Sequence, residues 1–297
     1  MQPPYQPPPY QPPPQPPFQA PPAPLPPQSP VTPPPVPRTV SVMDGLRFTT
    51  SGRSGWNNIL FCALLYLSTQ MVPVIGLIVL QGYFAEVHRR LVLRHPEPYV
   101  RFDFSDVGNY LSRGVAPFVA TLLVAFSFAF VGGAIAIALF VAVAIGDAAG
   151  GGSELVALLN VAVLVAGGLL AIPLFAFWIT LMNAAVTRAE LVLDVGKALR
   201  LGEIWAYAGK TWKRALVTGL VLWMLWLGLL LVGLIACIFG IFVTLAIGLI
   251  AQLHVRWQIY NEYLSEGGEP IELAPWELLP SEIPKAPQYP PPNQYGR

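Results

Sequence analysis

Three long apolar blocks, separated by polar segments, decide what this chain can fold into. The first runs from Ile59 to Phe84, the second from Val115 to Val186 with one glycine-rich interruption, and the third from Ala215 to Ala251. A helix needs about 20 mostly apolar residues to cross a bilayer. Charged residues make up only 11% of the chain, whereas a soluble domain carries about 25%. The sequence therefore predicts an all-α integral membrane protein.

The length of each block indicates how many spans it holds. The second block gives two spans, Val115–Ile145 and Leu155–Val186, hinged at Gly146–Ser153. The third block is too long for one helix and fits two, with a turn near Cys237 to Gly240. The first block has two interpretations: it is one long span, or a short hairpin bent at Gln70–Pro73.

The placement of basic residues favours the hairpin. Lys and Arg concentrate in segments 85–114 and 187–214, and the turns at 146–154 and 237–240 have none. Cytoplasmic loops are enriched in Lys and Arg, so both basic segments are expected inside, together with the N-terminus. The first block must then enter and leave on the same face. This predicts about six transmembrane helical segments as three hairpins, with both termini cytoplasmic; the alternative is five spans with an external N-terminus.

The segments between blocks are amphipathic. In 187–205, charged residues alternate with Leu and Val at helical spacing, which is typical of a helix lying in the headgroup plane. The blocks also begin alike, at Gly55-Trp56, Arg113-Gly114 and Thr211-Trp212. This weak repeat predicts three equivalent hairpins joined by interfacial amphipathic connecting helices.

Proline is concentrated outside the apolar blocks. Of 33 prolines, 20 lie within residues 1–37 and six within 280–297. Such segments bury too little apolar area to offset chain entropy. We therefore expect a disordered Pro-rich cytoplasmic tail and juxtamembrane segment at 1–54, a multi-pass helical membrane domain at 55–264, and a disordered Pro-rich C-terminal tail at 265–297.

The N-terminal tail is the segment from which a protein partner is predicted. Pro7-Pro8-Pro9-Tyr10 matches the PPxY pattern that WW domains bind, although a solvated spacer explains the same composition. We expect membrane lipids as partners, and a protein partner through the tail 1–37. A net charge of +1 without a basic stripe gives no reason to expect nucleic acid. The sequence does not indicate an oligomeric state.

The apolar blocks lack the groups that ion-coupled transport requires. No Asp, Glu, Lys, Arg or His occurs within 115–146, 155–186 or 215–251, and pumps place ionisable groups at membrane depth. In-membrane polar packing is predicted instead for Gln70, Asn160 and Asn183. No catalytic, metal or nucleotide motif is recognisable, so we expect no enzyme activity, no cofactor and no metal site.

Basic residues after the first block have two interpretations. Arg89, Arg90 and Arg94 follow it closely, where basic groups attract anionic lipid headgroups. They are predicted to contact anionic lipid, or else to act only as charge that sets the topology.

The arrangement of residues 55–130 resembles a known family. It has a Gly-Trp opening, an apolar hairpin broken by Pro and Gly, and Gly82-Tyr83 leading into Val87-His88-Arg89-Arg90. A loop with acidic residues and prolines follows, and then a second apolar hairpin. The arrangement resembles a prokaryotic family of multi-pass membrane proteins, domain of unknown function 4013. The resemblance covers about residues 50–275 and implies a cytoplasmic membrane location without an assigned activity.

Three functional hypotheses follow from these patterns. The leading one is a non-enzymatic membrane protein that organises partners or lipids, with the Pro-rich tail as a tether. The alternative is a passive permease or channel-like transporter, based on the pseudo-repeat and the in-membrane amides. The third is an interfacial lipid-modifying enzyme that would use Glu97, Asp103, Asp106 or His88.

Overall fold

A computed structural model describes residues 39–52, 54–150, 154–235, 237–275 and 277–282. All regular secondary structure within these ranges is helical, as predicted. The predicted tail 1–37 and residues 283–297 lie outside the described residues. The helices are α1 (Val42–Thr49), α2 (Gly55–Ser68), α3 (Pro73–Val92), α4 (Val107–Gly150), α5 (Glu154–Val192), α6 (Val195–Ala198), α7 (Leu201–Ile235) and α8 (Cys237–Ser265), with single 3₁₀ turns at Phe104–Asp106 and Pro280–Glu282.

Among the residues that the structure describes, four helical segments are long and apolar enough to cross a membrane. They are Phe104–Gly146, Glu154–Val192, Leu201–Ile235 and Gly240–Ser265. The helices of the first predicted hairpin, α2 and α3, are not among the segments with the length and apolarity needed to span a membrane. The 14 residues of α2 span only about 21 Å at about 1.5 Å per residue, whereas the hydrocarbon core is about 30 Å thick. The second half of α3 carries Glu86, His88, Arg89 and Arg90.

The predicted break in the first block is present. Helix α2 ends at Ser68 and α3 begins at Pro73, so 59–84 contains two helices, which pack against each other. Proline suits the first position of α3 because its ring presets φ and the missing N–H would have no helical partner. The first block is therefore a bent hairpin in the structure.

The other two predicted turns lie partly outside the described residues. Helix α4 continues through Gly150, so Gly146–Gly150 are helical, and residues 151–153 lie outside the described residues. Helix α7 ends at Ile235 and α8 begins at Cys237, and residue 236 lies outside the described residues. Glycine permits a turn but does not require one when the flanking residues favour a helix.

The predicted interfacial helix at 187–205 is wrong. Helix α5 continues to Val192, where Leu193 with a φ of 57° ends it. The Asp194 side chain accepts a hydrogen bond from the Lys197 N–H at 2.8 Å and begins the short α6. Leu191, Val192 and Ala198 lie in a buried cluster with tyrosines of α8. Protein thus covers the apolar face of this segment up to Ala198, whereas Leu201 and Trp205 are exposed.

The buried cores lie at one end of the long helices, which we call the polar end. One cluster joins α1, α2, α3 and α8 and includes Phe48, Phe102 and Leu253; a second joins α4, α5, α7 and α8 around Tyr207 and Tyr260. Further along α4, α5 and α7, large apolar side chains are exposed instead. The exposed set includes Phe126, Phe130, Ile137, Phe140, Leu158, Leu169 and Ile172. A surface of this composition is expected to face lipid.

Helices α3 and α4 approach each other through a pair of glycines. A Cβ atom built on Gly82 would fall on the carbonyl of Tyr110, and one built on Gly114 would fall on the carbonyl of Ile78. Both obstacles are backbone atoms, which cannot move without separating the helices. Small residues at such crossings let helix backbones come close.

We predict that Gly82→Ala and Gly114→Ala each destabilise the protein, because the added methyl group forces the two backbones apart. Overpacking of this kind costs about 1–3 kcal/mol or more, and thermal unfolding in detergent measures it. Gly108→Ala is the matched control, since a Cβ there meets nothing within 4 Å. An equal effect of the control and of Gly114→Ala would contradict the close crossing.

Candidate functional site

The polar end contains an unusual number of buried charged side chains. The buried side chains are Glu86, His88, Arg89, Arg90, Asp106, Arg113, Arg188, Glu190 and Arg256. Moving a charge out of water is strongly unfavourable unless it is paired and hydrogen-bonded. The arrangement of partners therefore determines how these helices assemble.

Glu86 on α3 is the acceptor of the first ion-pair network. Its Oε1 accepts from Arg90 Nε at 2.7 Å, one helical turn away. Its Oε2 accepts from an Arg113 guanidinium nitrogen of α4. Arg90 also donates to Glu282 near the end of the described chain. One carboxylate thus ties α3 to α4, and Arg90 extends the network to the C-terminal segment.

Glu190 on α5 is the acceptor of the second network. Its Oε2 accepts from His88 Nδ1 of α3 at 2.6 Å, and its Oε1 accepts from an Arg256 nitrogen of α8 at 2.5 Å. The side chains of His88 and Glu190 are both fully buried. A single carboxylate therefore connects three helices.

Residues 271–275 and 277–282 form a segment that we call the C-terminal strap. Arg89 donates to the carbonyls of Ala274 and Pro275 at 2.6 and 2.8 Å, and Arg113 donates to the carbonyl of Glu277 at 3.0 Å. The Asp106 carboxylate accepts from the N–H and hydroxyl of Ser281 at 3.0 and 2.6 Å. The strap supplies the acceptors that these buried guanidinium groups require.

The strap lies within the segment 265–297 that the sequence predicts as a C-terminal tail. Disorder was expected from 265 onward, but Ile271 and Leu279 are buried in the two cores. The N-terminal boundary differs as well, because α1 lies within the predicted tail and juxtamembrane segment and packs on α8. Ser41 and Gln258 exchange two hydrogen bonds there, at 2.6 and 3.1 Å.

The three arginines predicted to contact anionic lipid separate into two groups. Arg89 and Arg90 are buried and bind protein acceptors, whereas Arg94 is exposed and adopts a φ of 54°. Lipid contact at these residues stays a prediction. For Arg89 and Arg90, the interactions that the structure shows are with the strap and with Glu86.

The three amides predicted for in-membrane packing lie in different places. Gln70 is exposed in the turn between α2 and α3. Asn160 lies beside Gly146 of α4. The Asn183 Oδ1 accepts from the Thr187 hydroxyl at 3.2 Å, and Asn183 lines a cavity between α5, α7 and α8. Asn160 and Asn183 are roughly 35 Å apart along α5 at about 1.5 Å per residue.

The cavity adjoins the second ion-pair network. Its volume is about 400 Å³, and Arg256, Asn183 and Gln252 lie among otherwise mostly apolar and aromatic lining residues. Arg256 thus faces Glu190 through one nitrogen and contributes to the cavity wall as well.

The carboxylates of the cluster have their oxygens engaged. Glu86, Glu190 and Asp106 each use both oxygens to accept hydrogen bonds from protein donors. What this arrangement does is hold helices and chain ends together.

Sequence reasoning missed the roles of Glu86, Glu190 and Arg256. The spacing of Glu86 and Arg90 by four residues was one available signal, since such pairs meet on a helix face. For Glu190, the burial of the run Ala184–Val192 on all sides is known only from the structure.

A family model described as "Protein of unknown function (DUF4013)" matches residues 65–244. The match covers α3 to α7 and parts of α2 and α8, and so includes Glu86, Arg113 and Glu190. No curated protein and no solved structure matches the chain.

We predict that Glu86→Gln destabilises the protein by about 3–5 kcal/mol, the range for breaking a buried ion pair, because Arg90 and Arg113 lose their shared carboxylate. Chemical unfolding in mixed micelles measures the change. Asp44→Asn is the control, since its partner Arg47 is exposed and such pairs contribute about 0–1 kcal/mol. A similarly small effect for Glu86→Gln would contradict the assigned role.

A pH dependence is predicted for the strap. Burial alone would raise the pKa of Glu282, but hydrogen bonds from Arg90 and from the Leu279 N–H prevail, and the pKa lies below its ordinary 4.5. Because the pKa is lower in the folded state, Glu282 stabilises the strap fully above pH 4.5, and this contribution disappears as the pH falls through the lowered value.

Hydrogen exchange of residues 277–282 between pH 7 and pH 3 tests this dependence. Protection should persist at pH 5 and decline below pH 4.5 in the native protein. Other carboxylates belong to the same network, so Glu282→Gln isolates the contribution of Glu282. Identical pH profiles for the native protein and for Glu282→Gln would contradict it.

Proposed function

The chain belongs to the family described as protein of unknown function (DUF4013), and we propose that it is a non-enzymatic membrane protein that organises partners at its polar end. The observation that supports this most is the buried charge cluster. It joins α3, α4, α5 and α8 to the strap through fully engaged carboxylates, which suits a fixed platform better than a reacting centre.

The proposed location is the cytoplasmic membrane of a prokaryotic cell, with both termini cytoplasmic. Ser41 binds Gln258 of α8, and Glu282 binds Arg90 of α3, so the described chain begins and ends at the polar end. Basic residues also concentrate there, as expected for a cytoplasmic face. In this proposal α2 and α3 also form a membrane hairpin, which brings the number of membrane segments to six. The Pro-rich tail 1–37 recruits protein partners.

The alternative function, a passive permease, has less support. A polar path requires neutral polar groups that follow one another across the membrane. The three amides lie apart instead: Gln70 is in a turn, Asn160 is beside α4, and Asn183 lines the cavity between α5, α7 and α8. The cavity is lined mostly by apolar residues, which favours a hydrophobic occupant over a hydrophilic solute.

We predict that deletion of residues 1–37 removes protein partners without disturbing the membrane domain. Crosslinking in intact membranes, followed by detergent purification and mass spectrometry, compares the full chain with this deletion. A chain lacking residues 283–297 is the matched control, since it removes a second proline-rich end and leaves the strap intact. Replacing Pro7-Pro8-Pro9-Tyr10 by alanines tests the PPxY pattern separately.

The proposal expects partners that are lost with residues 1–37 while thermal stability stays unchanged. An unchanged partner set would contradict recruitment through the N-terminal tail. Flux of solutes through sealed vesicles that depends on Asn183 would favour the permease instead.

A further inference from the structure

The cavity between α5, α7 and α8 has two chemically different ends. Phe175, Leu230 and Leu245 line it on the side away from the polar end, and Asn183, Gln252 and Arg256 line it toward the polar end. Leu245 and Arg256 are separated by roughly 16 Å along α8, at about 1.5 Å per residue. The cavity is therefore elongated along the helices, apolar at one end and cationic at the other.

The cavity opens sideways onto the apolar surface of the helices. Three of its lining residues on α7, Trp223, Leu227 and Leu230, are 44%, 41% and 42% exposed. They continue into exposed Leu231 and Val232 on the same helix. Because this surface belongs to a segment long and apolar enough to span a membrane, the opening gives access from the bilayer.

Two buried donors at the cavity have no hydrogen-bond partner within the part of the chain that the structure describes. They are Nε of Arg256 and Nε1 of Trp178. Leaving a buried donor unsatisfied is costly, and more so when it is charged. Arg256 is 8% exposed, so solvent does not readily replace the missing acceptor. Both residues line the cavity, and an occupant bearing oxygens would satisfy them.

The order of these donors along the helices indicates the kind of occupant. Arg256 lies at the end next to Glu190, and Trp178 precedes Asn183 by roughly 7 Å along α5, at about 1.5 Å per residue, which places it closer to the apolar end. The first position offers a guanidinium N–H, which a phosphate oxygen suits, and the second offers an indole N–H, which an uncharged acceptor suits. A hydrocarbon chain fits the apolar end beyond them. A glycerophospholipid has a phosphate, then ester carbonyls, then acyl chains in this order.

We propose that this cavity binds one acyl chain of an anionic membrane phospholipid, with the phosphate at Arg256 and an ester carbonyl at Trp178. The surrounding aromatic rings of Trp178, Trp223 and Trp226 contact the chain. The site is separate from the exposed Arg94 and does not depend on recruitment of partners by the Pro-rich tails.

Native mass spectrometry of the full-length, delipidated protein tests the site with two probes, dioleoyl phosphatidylglycerol and dioleoyl phosphatidylcholine. We expect one tightly bound phosphatidylglycerol, and Arg256→Gln should weaken it roughly tenfold or more, the order expected for one hydrogen bond to a charged group. Arg256→Gln should change phosphatidylcholine binding less, because the choline ammonium of that lipid already neutralises the phosphate that Arg256 would contact.

A second variant tests the cavity without altering the ion pair to Glu190. Leu230→Trp places a larger ring in the cavity wall and should weaken binding of both lipids. Leu231→Trp is the matched control, since Leu231 is the next residue, is 62% exposed and does not line the cavity. Equal binding of the two lipids by the native protein would overturn the proposal, and so would native-like phosphatidylglycerol binding by Leu230→Trp. If Arg256→Gln does not fold, these two comparisons still decide.

Discussion

Two buried carboxylates, each shared by two cationic or hydrogen-bonding partners, hold the polar end of this protein together. Glu86 joins α3 to α4, and Glu190 joins α5 to α3 and α8. A carboxylate removed from water is stabilised only if both oxygens find donors, so the helices that carry these donors must meet at fixed positions. The apolar parts of the spans have no such requirement, since lipid is as good a neighbour for leucine as another helix is.

The same requirement explains why the ends of the described chain return to the polar end. The guanidinium groups have more donors than the two carboxylates can accept from. The strap provides the remaining acceptors through the carbonyls of Ala274, Pro275 and Glu277. At the other end of the chain, Ser41 satisfies Gln258, which is buried on α8. Arg256 belongs both to this assembly and to the neighbouring cavity, and so connects the ion pairs with the proposed lipid site.

Much of the fold could be predicted from the sequence, because hydrophobic length is a local property. The spans at Val115–Ile145 and Leu155–Val186, the two spans within Ala215–Ala251, and the bend before Pro73 all follow from composition and from the chemistry of proline. Hydrophobic length does not predict what covers the amphipathic segment 187–205. An amphipathic pattern shows that one face is apolar, but it does not show whether lipid or protein covers that face.

The candidate site was less predictable, because its contacts join residues that are distant in sequence. His88 and Glu190 meet across 102 positions, and Asp106 and Ser281 across 175. Basic residues that follow an apolar block resemble topology-setting charge, and nothing near Arg89 indicates that residues 274 and 275 supply its acceptors. The proline-rich composition around the strap likewise predicts disorder unless its partners are known.

A double-mutant cycle between Glu190 and Arg256 tests most directly whether shared buried carboxylates hold the polar end together. Unfolding free energies in mixed micelles are compared for Glu190→Gln, Arg256→Gln and the double variant. If the two groups stabilise the protein as a pair, the double variant is hardly less stable than the less stable of the two single variants. The coupling free energy is then about 2 kcal/mol or more, within the range for residues in contact. Losses that add to within about 0.5 kcal/mol would show independent sites and contradict the account.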